Sequence, residues 1–535
     1  PRNGWKGCAW IRRGFSGRER AELSGSEPVA MDRKGKKPRV PERVRTIAGL
    51  ILILSIGFAL RLADFDDPPL DFHGTRQLRS LILARDFYVQ SLPDADPSLS
   101  ALSRDLSALE TYEPPILERI LASGYRIIGG EDWRLGRVFS ALFWTIAGFF
   151  VWLCARRLGA RAGAWAALAV MFFFPMSVVM SRSIQPDPWM CAWITASIWA
   201  GLRWRESGRR RDAILTVLLG GTATLIKAFA GFFIAGILLG VFAARVREDG
   251  FRARAIETVW AGLAAVAPSL IYAVTLAPGR SGDFLSFWVV SLSGMILDPG
   301  FYADWLAMLK GLITLPVIFL SGMSLMSAER GKALVIGGAW AGYLAYGLTV
   351  PYQITTHEYY SMMIYPLCAI SLAPLFELLW KKYGEGSRLR RCAAAAICCA
   401  GAFYGGYVAV GRLRAADYRL EPASWRRVGE AIPADASLIG LTGDYGMRLN
   451  YYGWRRLALS WRTAGDERLF SAAGRGESEF EALFTALTAG QDYFFVSALN
   501  ELAAQPELLE RLEGYEIAAE GNGYILYDLR RVKEP

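Results

Sequence analysis

The sequence predicts a polytopic α-helical membrane protein with a small α/β domain at its C-terminus. Hydrophobic residues make up 53% of the chain, and the mean hydropathy is +0.24. Several apolar runs approach the ~20 residues that cross the hydrocarbon core of a bilayer. After residue 411 the apolar density falls, and short β-rich runs alternate with helical ones, which is typical of a soluble domain.

The apolar runs predict about eleven membrane-spanning helices. The predicted spans are residues 46–62, 138–155, 163–180, 189–203, 213–226, 228–244, 258–277, 306–326, 333–350, 359–380 and 392–411. Residues 213–244 are long for one helix and short for two. We interpret them as a hairpin, because a turn keeps Lys227 away from the bilayer centre, where a charge costs about 2.5 to 3.5 kcal/mol.

Basic residues collect in alternate loops, and this alternation predicts the orientation of the chain. The basic clusters lie at residues 33–45, 156–161, 203–211, 245–254, 330–332 and 381–391. The sequence therefore predicts a multi-pass protein of the plasma (inner) membrane with a cytoplasmic N-terminus and an extracytoplasmic C-terminal domain. These loops account for the net charge of +10, which is therefore no indication of nucleic-acid binding.

Three regions follow from composition. Residues 1–45 are expected to form a cytoplasmic, disordered N-terminus, within which Met31 is a natural start. Residues 46–411 form the membrane domain, whose large outer loop, 63–137, contains amphipathic segments typical of helices on the membrane interface. Residues 412–535 form the extracytoplasmic α/β domain. The expected elements are helices Leu78–Gln90, Ile116–Ile128, Glu479–Leu487 and Glu501–Leu512 and strands Ser437–Leu441, Tyr493–Ser497 and Tyr524–Leu529.

The two histidines of the chain fall on one predicted membrane face. His73 lies between Asp71 and Arg76 after the first span, and His357 precedes Glu358 before the tenth. We expect chemistry at this face. Histidine and carboxylate ligands suit zinc, but no spacing typical of a metal site or a disulfide framework occurs. We assign no metal ligand and no cofactor, and a divalent cation stays an open alternative.

A series of motifs follows the same order along the chain and the same predicted side of the membrane. They are Asp71, Glu113-Pro114-Pro115, Arg134-Leu135-Gly136-Arg137, Ser181-Arg182-Ser183-Ile184-Gln185-Pro186-Asp187, Leu225-Ile226-Lys227 and His357-Glu358-Tyr359-Tyr360. This order resembles the C-type (GT-C) integral membrane glycosyltransferases, in the group (family 39 type) of protein O-mannosyltransferases and the lipid A aminoarabinose transferase. The resemblance covers most of residues 46–411 and, weakly, the tail. The family often has Asp-Glu at its first site, whereas here Phe72 follows Asp71.

The resemblance implies transfer of one sugar, hexose or pentose, from a polyprenyl-phosphate donor to a protein, glycan or lipid acceptor at the extracytoplasmic face of the bilayer. Asp71 is the candidate general base, because a partly desolvated carboxylate suits removal of the acceptor's proton. The alternative is that Asp71 caps a helix that begins near Arg76. Asp187 is the second catalytic candidate, although the prolines beside it are also explained as the start of a helix.

The resemblance further implies a cationic site for the donor phosphate, because negative charge builds on the departing oxygen. The candidates are Lys227, Arg76 and Arg137, with snorkelling, interface anchoring and local salt bridges as alternatives. The candidates for substrate binding are His73, Glu113, His357, Glu358 and Tyr359. For Tyr359 and Tyr360 the alternative is a belt of interfacial aromatics.

Two other classes of function remain open from the sequence alone. A lipid or sugar transporter, or flippase, is also polytopic, but its polar groups are expected near the bilayer midplane on broken helices. Here the polar motifs lie at one rim, which favours chemistry on a lipid-linked substrate. An inactive scaffold with an outer binding domain is the third alternative.

Overall fold

The structure is a computed structural model that describes residues 41–109, 113–277, 282, 285–384, 387–474 and 479–533. Most of the predicted N-terminal region, 1–45, lies outside the described residues. The chain divides into two compact units, residues 1–51 and 52–535.

The described part of the chain is mainly helical. Helices α1 to α23 are, in order, Glu42–Arg61, Gly74–Val89, Pro97–Leu106, Ile116–Ile128, Arg134–Arg157, Gly163–Phe173, Pro175–Ser181, Asp187–Ser207, Arg210–Ile226, Ala230–Asp249, Phe251–Thr275, Pro299–Leu312, Leu315–Leu325, Arg330–Thr349, Pro351–Thr356, Ile364–Leu379, Arg388–Leu413, Glu421–Glu430, Met447–Gly453, Ala464–Ala472, Phe480–Thr488, Leu499–Ala503 and Pro506–Glu513. Short 3-10 or π-helical segments are Leu285–Ser291, Ser293–Leu297, Glu358–Ser361 and Trp380–Gly384. Strands β1 to β5 are Leu438–Leu441, Leu459–Ser460, Tyr493–Val496, Tyr515–Gly521 and Tyr524–Val532.

Six helices in the described residues are long and apolar enough to cross a membrane, or up to eight if each of two bent pairs forms one span. The six are Glu42–Arg61, Arg134–Arg157, Ala230–Glu248, Phe251–Thr275, Glu358–Gly384 and Arg388–Leu413. The sequence-based count of about eleven also includes helices α8, α9 and α14, which exist but have charged ends that shorten their apolar length. The prediction of a polytopic helical membrane protein is confirmed.

Prolines explain where predicted spans bend. The run 163–180 is two helices, α6 and α7, which meet at 64°, and α12 and α13 meet at 89°. Pro175 starts α7 and has no backbone N–H to continue the helix before it, while Phe174 takes the extended conformation that a following proline favours. The hairpin prediction for 213–244 is confirmed, because α9 ends at Ile226 and α10 begins at Ala230.

Helices α10 and α14 approach closely through glycines on both sides. A Cβ atom on Gly236 would lie 2.0 Å from the carbonyl oxygen of Gly338, and one on Gly342 would lie 2.4 Å from that of Phe232. Gly236 and Gly240 on one helix and Gly338 and Gly342 on the other have the four-residue spacing that lets membrane helices pack backbone to backbone.

The predicted amphipathic helices of the 63–137 loop are present as α2 and α4, and they pack against each other. Leu78 and Leu81 of α2 and Leu121 and Tyr125 of α4 are fully buried. Helix α2 is therefore enclosed by protein more than the predicted interfacial placement implies.

The C-terminal region contains a five-stranded sheet with the order β2-β1-β3-β5-β4. Strands β1, β2 and β3 are parallel, and β5 pairs antiparallel with β3 and β4. Side chains pack on both faces, with Phe494 in one core and Phe495 in the other. The three predicted strands and helix α21 are present, while the predicted helix 501–512 is broken at Pro506 into α22 and α23.

Helix α19 of the C-terminal region packs on helix α2 of the 63–137 loop. The guanidinium group of Arg85 lies over the rings of Tyr451 and Trp454, at 4.2 and 4.3 Å, and forms an ion pair with Glu131. The side-chain amide of Asn450 donates to the carbonyl oxygen of Leu106. The contacts of Arg85 hold helix α2, whose first turn carries the predicted site residue Arg76, and the contact of Asn450 holds helix α3.

Candidate active site

A chain of ion pairs joins three segments at one end of the helical bundle, which we call the site rim. Lys227 Nζ lies 2.9 Å from Asp187 Oδ1 and 3.8 Å from Glu113 Oε1. Glu113 Oε2 in turn accepts a hydrogen bond from Arg76 Nη2 at 2.8 Å. The side chains of Asp187 and Lys227 are almost completely buried. Four of the predicted site residues therefore form one network, which is buried at Asp187 and Lys227 and partly exposed at Arg76 and Glu113.

Local backbone structure places the two buried members of this network. Asp187 begins helix α8, with Pro188 next to it in the first turn. The positive partial charge of a helix N-terminus stabilises a carboxylate there. Lys227 follows helix α9 in an extended conformation, with φ −151° and ψ 117°, and so leaves the helical path just before α10 begins.

Glu113 is held in its charged form by two cations. Burial by itself would raise the pKa of Glu113, but attraction to Arg76 and Lys227 outweighs this and lowers the pKa to about 2. The network therefore contains a permanent carboxylate between two cationic side chains over the whole physiological pH range.

The two histidines meet at the same rim. His73 Nε2 lies 2.7 Å from Glu358 Oε2, and the rings of His73 and His357 stack with centroids 5.4 Å apart. Thr356 Oγ1 lies 2.7 Å from His357 Nδ1. Burial, followed by repulsion from His73, lowers the pKa of His357 to about 4. His357 is therefore neutral at physiological pH.

Tyr359 connects the histidine pair with the ion-pair network. The rings of Tyr359 and His73 meet edge to face, with their centroids 4.9 Å apart. Lys227 Nζ lies 5.4 Å from the centroid of the Tyr359 ring. Lys227 Nζ also lies 4.4 Å from the centroid of the Tyr360 ring, a distance typical of cation–π contacts. Tyr359 is 4% exposed, so its position in the site differs from that of a lipid-facing belt residue.

Asp71 lies beside this network between two buried arginines. Its carboxylate oxygens lie 3.2 Å from Arg137 Nη2 and 3.8 Å from Arg182 Nε. The predicted alternative of a helix cap is wrong, because the residue that precedes helix α2 is His73, which has a left-handed φ of 45° and no side-chain cap.

Arg137 has a different environment from the one predicted. Its guanidinium group is fully buried and donates to the carbonyl oxygens of Asp64, Phe65, Asp67 and Pro68. Because these N–H groups are already paired, the geometry favours a role in holding the 64–71 loop over contact with a donor phosphate.

Two residues that the sequence did not single out complete the arrangement. Arg182 donates to the carbonyl oxygens of Ala63 and Asp64. The amide of fully buried Gln77 donates to the carbonyl oxygen of Phe72 at 2.7 Å and accepts from the backbone N–H of Ile184 at 2.9 Å. Arg182 lies within a motif already recognised, whereas Gln77 carries no signal in one sequence, because its partners are backbone groups.

The described residues include no group of three or more His, Cys, Asp or Glu side chains placed to hold a metal ion. From the sequence, a divalent cation is an open alternative. The described residues provide no set of ligands for such an ion. The cationic groups of the site are arginine and lysine side chains.

The sequence matches one known family over part of its length. Residues 112–272 match the dolichyl-phosphate-mannose-protein mannosyltransferase family. This stretch includes Glu113, Asp187 and Lys227. No curated protein matches the sequence at a significant level.

Solved structures share the fold of this chain at low sequence identity. ArnT from Cupriavidus metallidurans bound to undecaprenyl phosphate is 15% identical, with a TM-score of 0.57 over 90% of this chain and 98% of that one. An Archaeoglobus fulgidus oligosaccharyltransferase in complex with Zn and sulfate is 13% identical, with a TM-score of 0.53 over 86% of this chain and 71% of that one. The same enzyme tethered with an acceptor peptide containing the NVT sequon is 14% identical, with a TM-score of 0.53 over 89% and 73%.

The comparisons agree with the resemblance given by the motifs. The chain shares its fold with ArnT and with the oligosaccharyltransferase over most of its length. The match to the protein mannosyltransferase family covers residues 112–272, which is less than half of the chain. Both findings support the resemblance to the GT-C integral membrane glycosyltransferases.

Proposed function

We propose that the protein transfers one sugar from a polyprenyl-phosphate-linked donor to a hydroxyl or phosphate oxygen of an acceptor. The observation that carries the proposal is the ionic network from Arg76 to Asp187, buried at Asp187 and Lys227, at one rim of a GT-C fold. The complexes of ArnT with undecaprenyl phosphate and of the oligosaccharyltransferase with an acceptor peptide support a lipid-linked donor and a separate acceptor.

Lys227 and Arg76 bind the donor phosphate in this proposal. When the bond between the anomeric carbon and the phosphate oxygen breaks, the electron pair stays on that oxygen, and nearby cations stabilise the charge. Asp187 and Glu113 already hold both cations in place. Little reorganisation is then needed as the polyprenyl phosphate departs.

Asp71 is the proposed general base. The acceptor oxygen attacks the anomeric carbon as its proton passes to the Asp71 carboxylate. Arg137 and Arg182 keep that carboxylate in one position, which a proton transfer over a short distance requires. We therefore propose Arg137 as a positioning residue.

The sugar is proposed to lie against His73, His357, Glu358 and Tyr359, which offer hydrogen-bonding groups and ring faces next to Lys227. The alternating basic loops support a site at the extracytoplasmic face, a cytoplasmic N-terminus and an extracytoplasmic C-terminal domain, 412–535. The acceptor is a protein, a glycan or a lipid.

The test uses the purified protein in detergent with radiolabelled hexosyl and pentosyl polyprenyl phosphates, and free polyprenyl phosphate is followed as the product. We expect turnover by the wild type and its loss in Asp71→Asn. The control is Asp66→Asn in the same loop, because the Asp66 side chain is 70% exposed. Equal rates for Asp71→Asn and wild type would remove Asp71 as the base. Lack of turnover by the wild type with every donor and acceptor would favour the transporter alternative.

A further inference from the structure

A second charged cavity lies at the opposite end of the bundle from the site, at what we call the basic rim. Helix α8 begins at Asp187 in the site and ends at Ser207. Its 21 residues span about 30 Å, which is the thickness of a hydrocarbon core. The cavity has a volume of about 290 Å³. Its lining residues are Arg157, Arg203, Glu206, Ser207, Arg209, Arg211 and Asp212.

The carboxylates of this cavity are already bridged by cations. The bridging pairs are Arg157–Glu206, Lys332–Glu206, Arg203–Asp212 and Arg211–Asp212. Asp212 also accepts a hydrogen bond from Ser207 Oγ at 2.5 Å. Lys332 also pairs with Glu329. Three carboxylates thus face these four cations and Arg209, so the cavity keeps an excess of positive charge.

Neighbouring groups hold the arginines in place. Trp199 lies under the guanidinium groups of Arg203 and Arg157, at 4.9 and 5.8 Å. Gly208, in a left-handed conformation with φ 63°, ends helix α8 and lets the chain turn at once into α9. The arginines therefore come from the ends of three helices, α5, α8 and α9.

We propose that this cavity binds the phosphate group of an anionic phospholipid headgroup. The cavity is open to the surface, and Arg209 and Arg211 are exposed there. The positive-inside rule explains basic residues in a loop, but it does not require carboxylates that each pair with two cations. Basic pockets between membrane helices on the cytoplasmic side bind anionic headgroups. The cavity lies a membrane thickness from the active site, so this lipid is distinct from the sugar donor.

The test is native mass spectrometry of the full-length protein in a mild detergent, titrated with phosphatidylglycerol or with phosphatidylcholine. We expect saturable retention of phosphatidylglycerol and at least about tenfold weaker retention by Arg209→Ala/Arg211→Ala. The matched control is Arg388→Ala/Arg390→Ala, which removes the same charge from exposed residues at the start of helix α17.

Equal retention of the two lipids by the wild type would overturn the proposal, and so would an equal loss of phosphatidylglycerol retention in the two double variants. Displacement of the lipid by millimolar inorganic phosphate would also overturn it, because that result would indicate a site for the free anion. If the double variant elutes as an aggregate, Arg209→Gln alone is compared with Arg388→Gln. None of these measurements depends on glycosyl transfer.

Discussion

At the scale of single residues, Lys227 links most of the proposed donor site. It pairs with Asp187 and Glu113 and lies over two tyrosine rings. A buried lysine in such a network keeps its charge only because attraction to its partners offsets the free-energy cost of removing the ammonium group from water. Its contacts with both carboxylates and both tyrosine rings make it the most direct test of phosphate binding.

Replacing Lys227 by glutamine is expected to raise the KM for the lipid-linked donor by about tenfold to a hundredfold and to leave the KM for the acceptor nearly unchanged. The reason is the loss of one charge-assisted hydrogen bond, worth about 1.5–3 kcal/mol, to the phosphate. Glutamine retains an N–H donor for Asp187, so that carboxylate does not lose all its partners. Steady-state kinetics on the monodisperse variant checks this, and an unchanged donor KM would exclude Lys227 from the site.

Gln77 is expected to act as a positioning residue, since it joins the loop that carries Asp71 to the loop that carries Asp187. Gln77→Met keeps the shape but removes both hydrogen bonds, while Gln77→Glu retains only the acceptor for the Ile184 N–H. We expect kcat to fall about tenfold or more in Gln77→Met and less in Gln77→Glu, with little change in donor KM. Equal kcat values in all three proteins would argue against positioning.

The residue types of the site were predictable from the sequence, but several of their partners were not. Asp187 and Lys227 were each singled out, although their ion pair depends on how α8 and α9 pack. The sequence predicts Arg137 as a candidate for binding the donor phosphate, because it is a cationic residue near the predicted rim. Besides the Asp71 carboxylate, its partners are backbone carbonyls of the 64–68 segment, and such partners leave no pattern in the sequence.

At the scale of elements, the glycine contact between helices α10 and α14 permits a sharp test. Gly338→Leu is expected to lower thermal stability in detergent strongly, by at least about 1–3 kcal/mol, because its Cβ would lie 2.0 Å from the Gly236 carbonyl oxygen. Gly337→Leu is the control, since no atom lies within 4 Å of a Cβ there. Similar melting temperatures for the two variants would contradict this packing.

The presence of many helices and strands was predictable, because local sequence patterns determine them. Apolar periodicity predicted α2, α4 and the α9–α10 hairpin, and β-rich runs predicted β1, β3 and β5. The bend at Pro175 depends on the missing proline N–H, which hydropathy averages ignore. The edge strands β2 and β4 are mostly exposed, so burial left little pattern in their sequence.

At the scale of the whole molecule, His357 is expected to make stability depend on pH. An unfolded chain binds a proton at a histidine near pH 6.5, whereas the pKa of folded His357 is about 4. Between these values the unfolded state binds more protons, so stability falls as the pH drops through this window. Glu113, with a pKa of about 2, loses its contribution only below about pH 4.5.

Melting temperatures at pH 7 and pH 5 provide the measurement. We expect the fall between these values to be smaller in His357→Gln than in the wild type, because glutamine does not titrate. Thr356→Val, which removes the hydrogen bond to His357 Nδ1 but leaves the imidazole, serves as the control for local packing. A wild-type fall that His357→Gln reproduces in full would show that other groups cause it.

The pairing of His73 with Glu358 also sets the order in which the site comes into existence during synthesis. The two residues are 285 positions apart, and at roughly 5–20 residues per second a ribosome needs roughly 15 to 60 s to cover that distance. The ionic network of Arg76, Glu113, Asp187 and Lys227 is translated earlier. A nascent chain can therefore assemble its charged half first, and it acquires the histidine half only after most of its membrane helices have emerged.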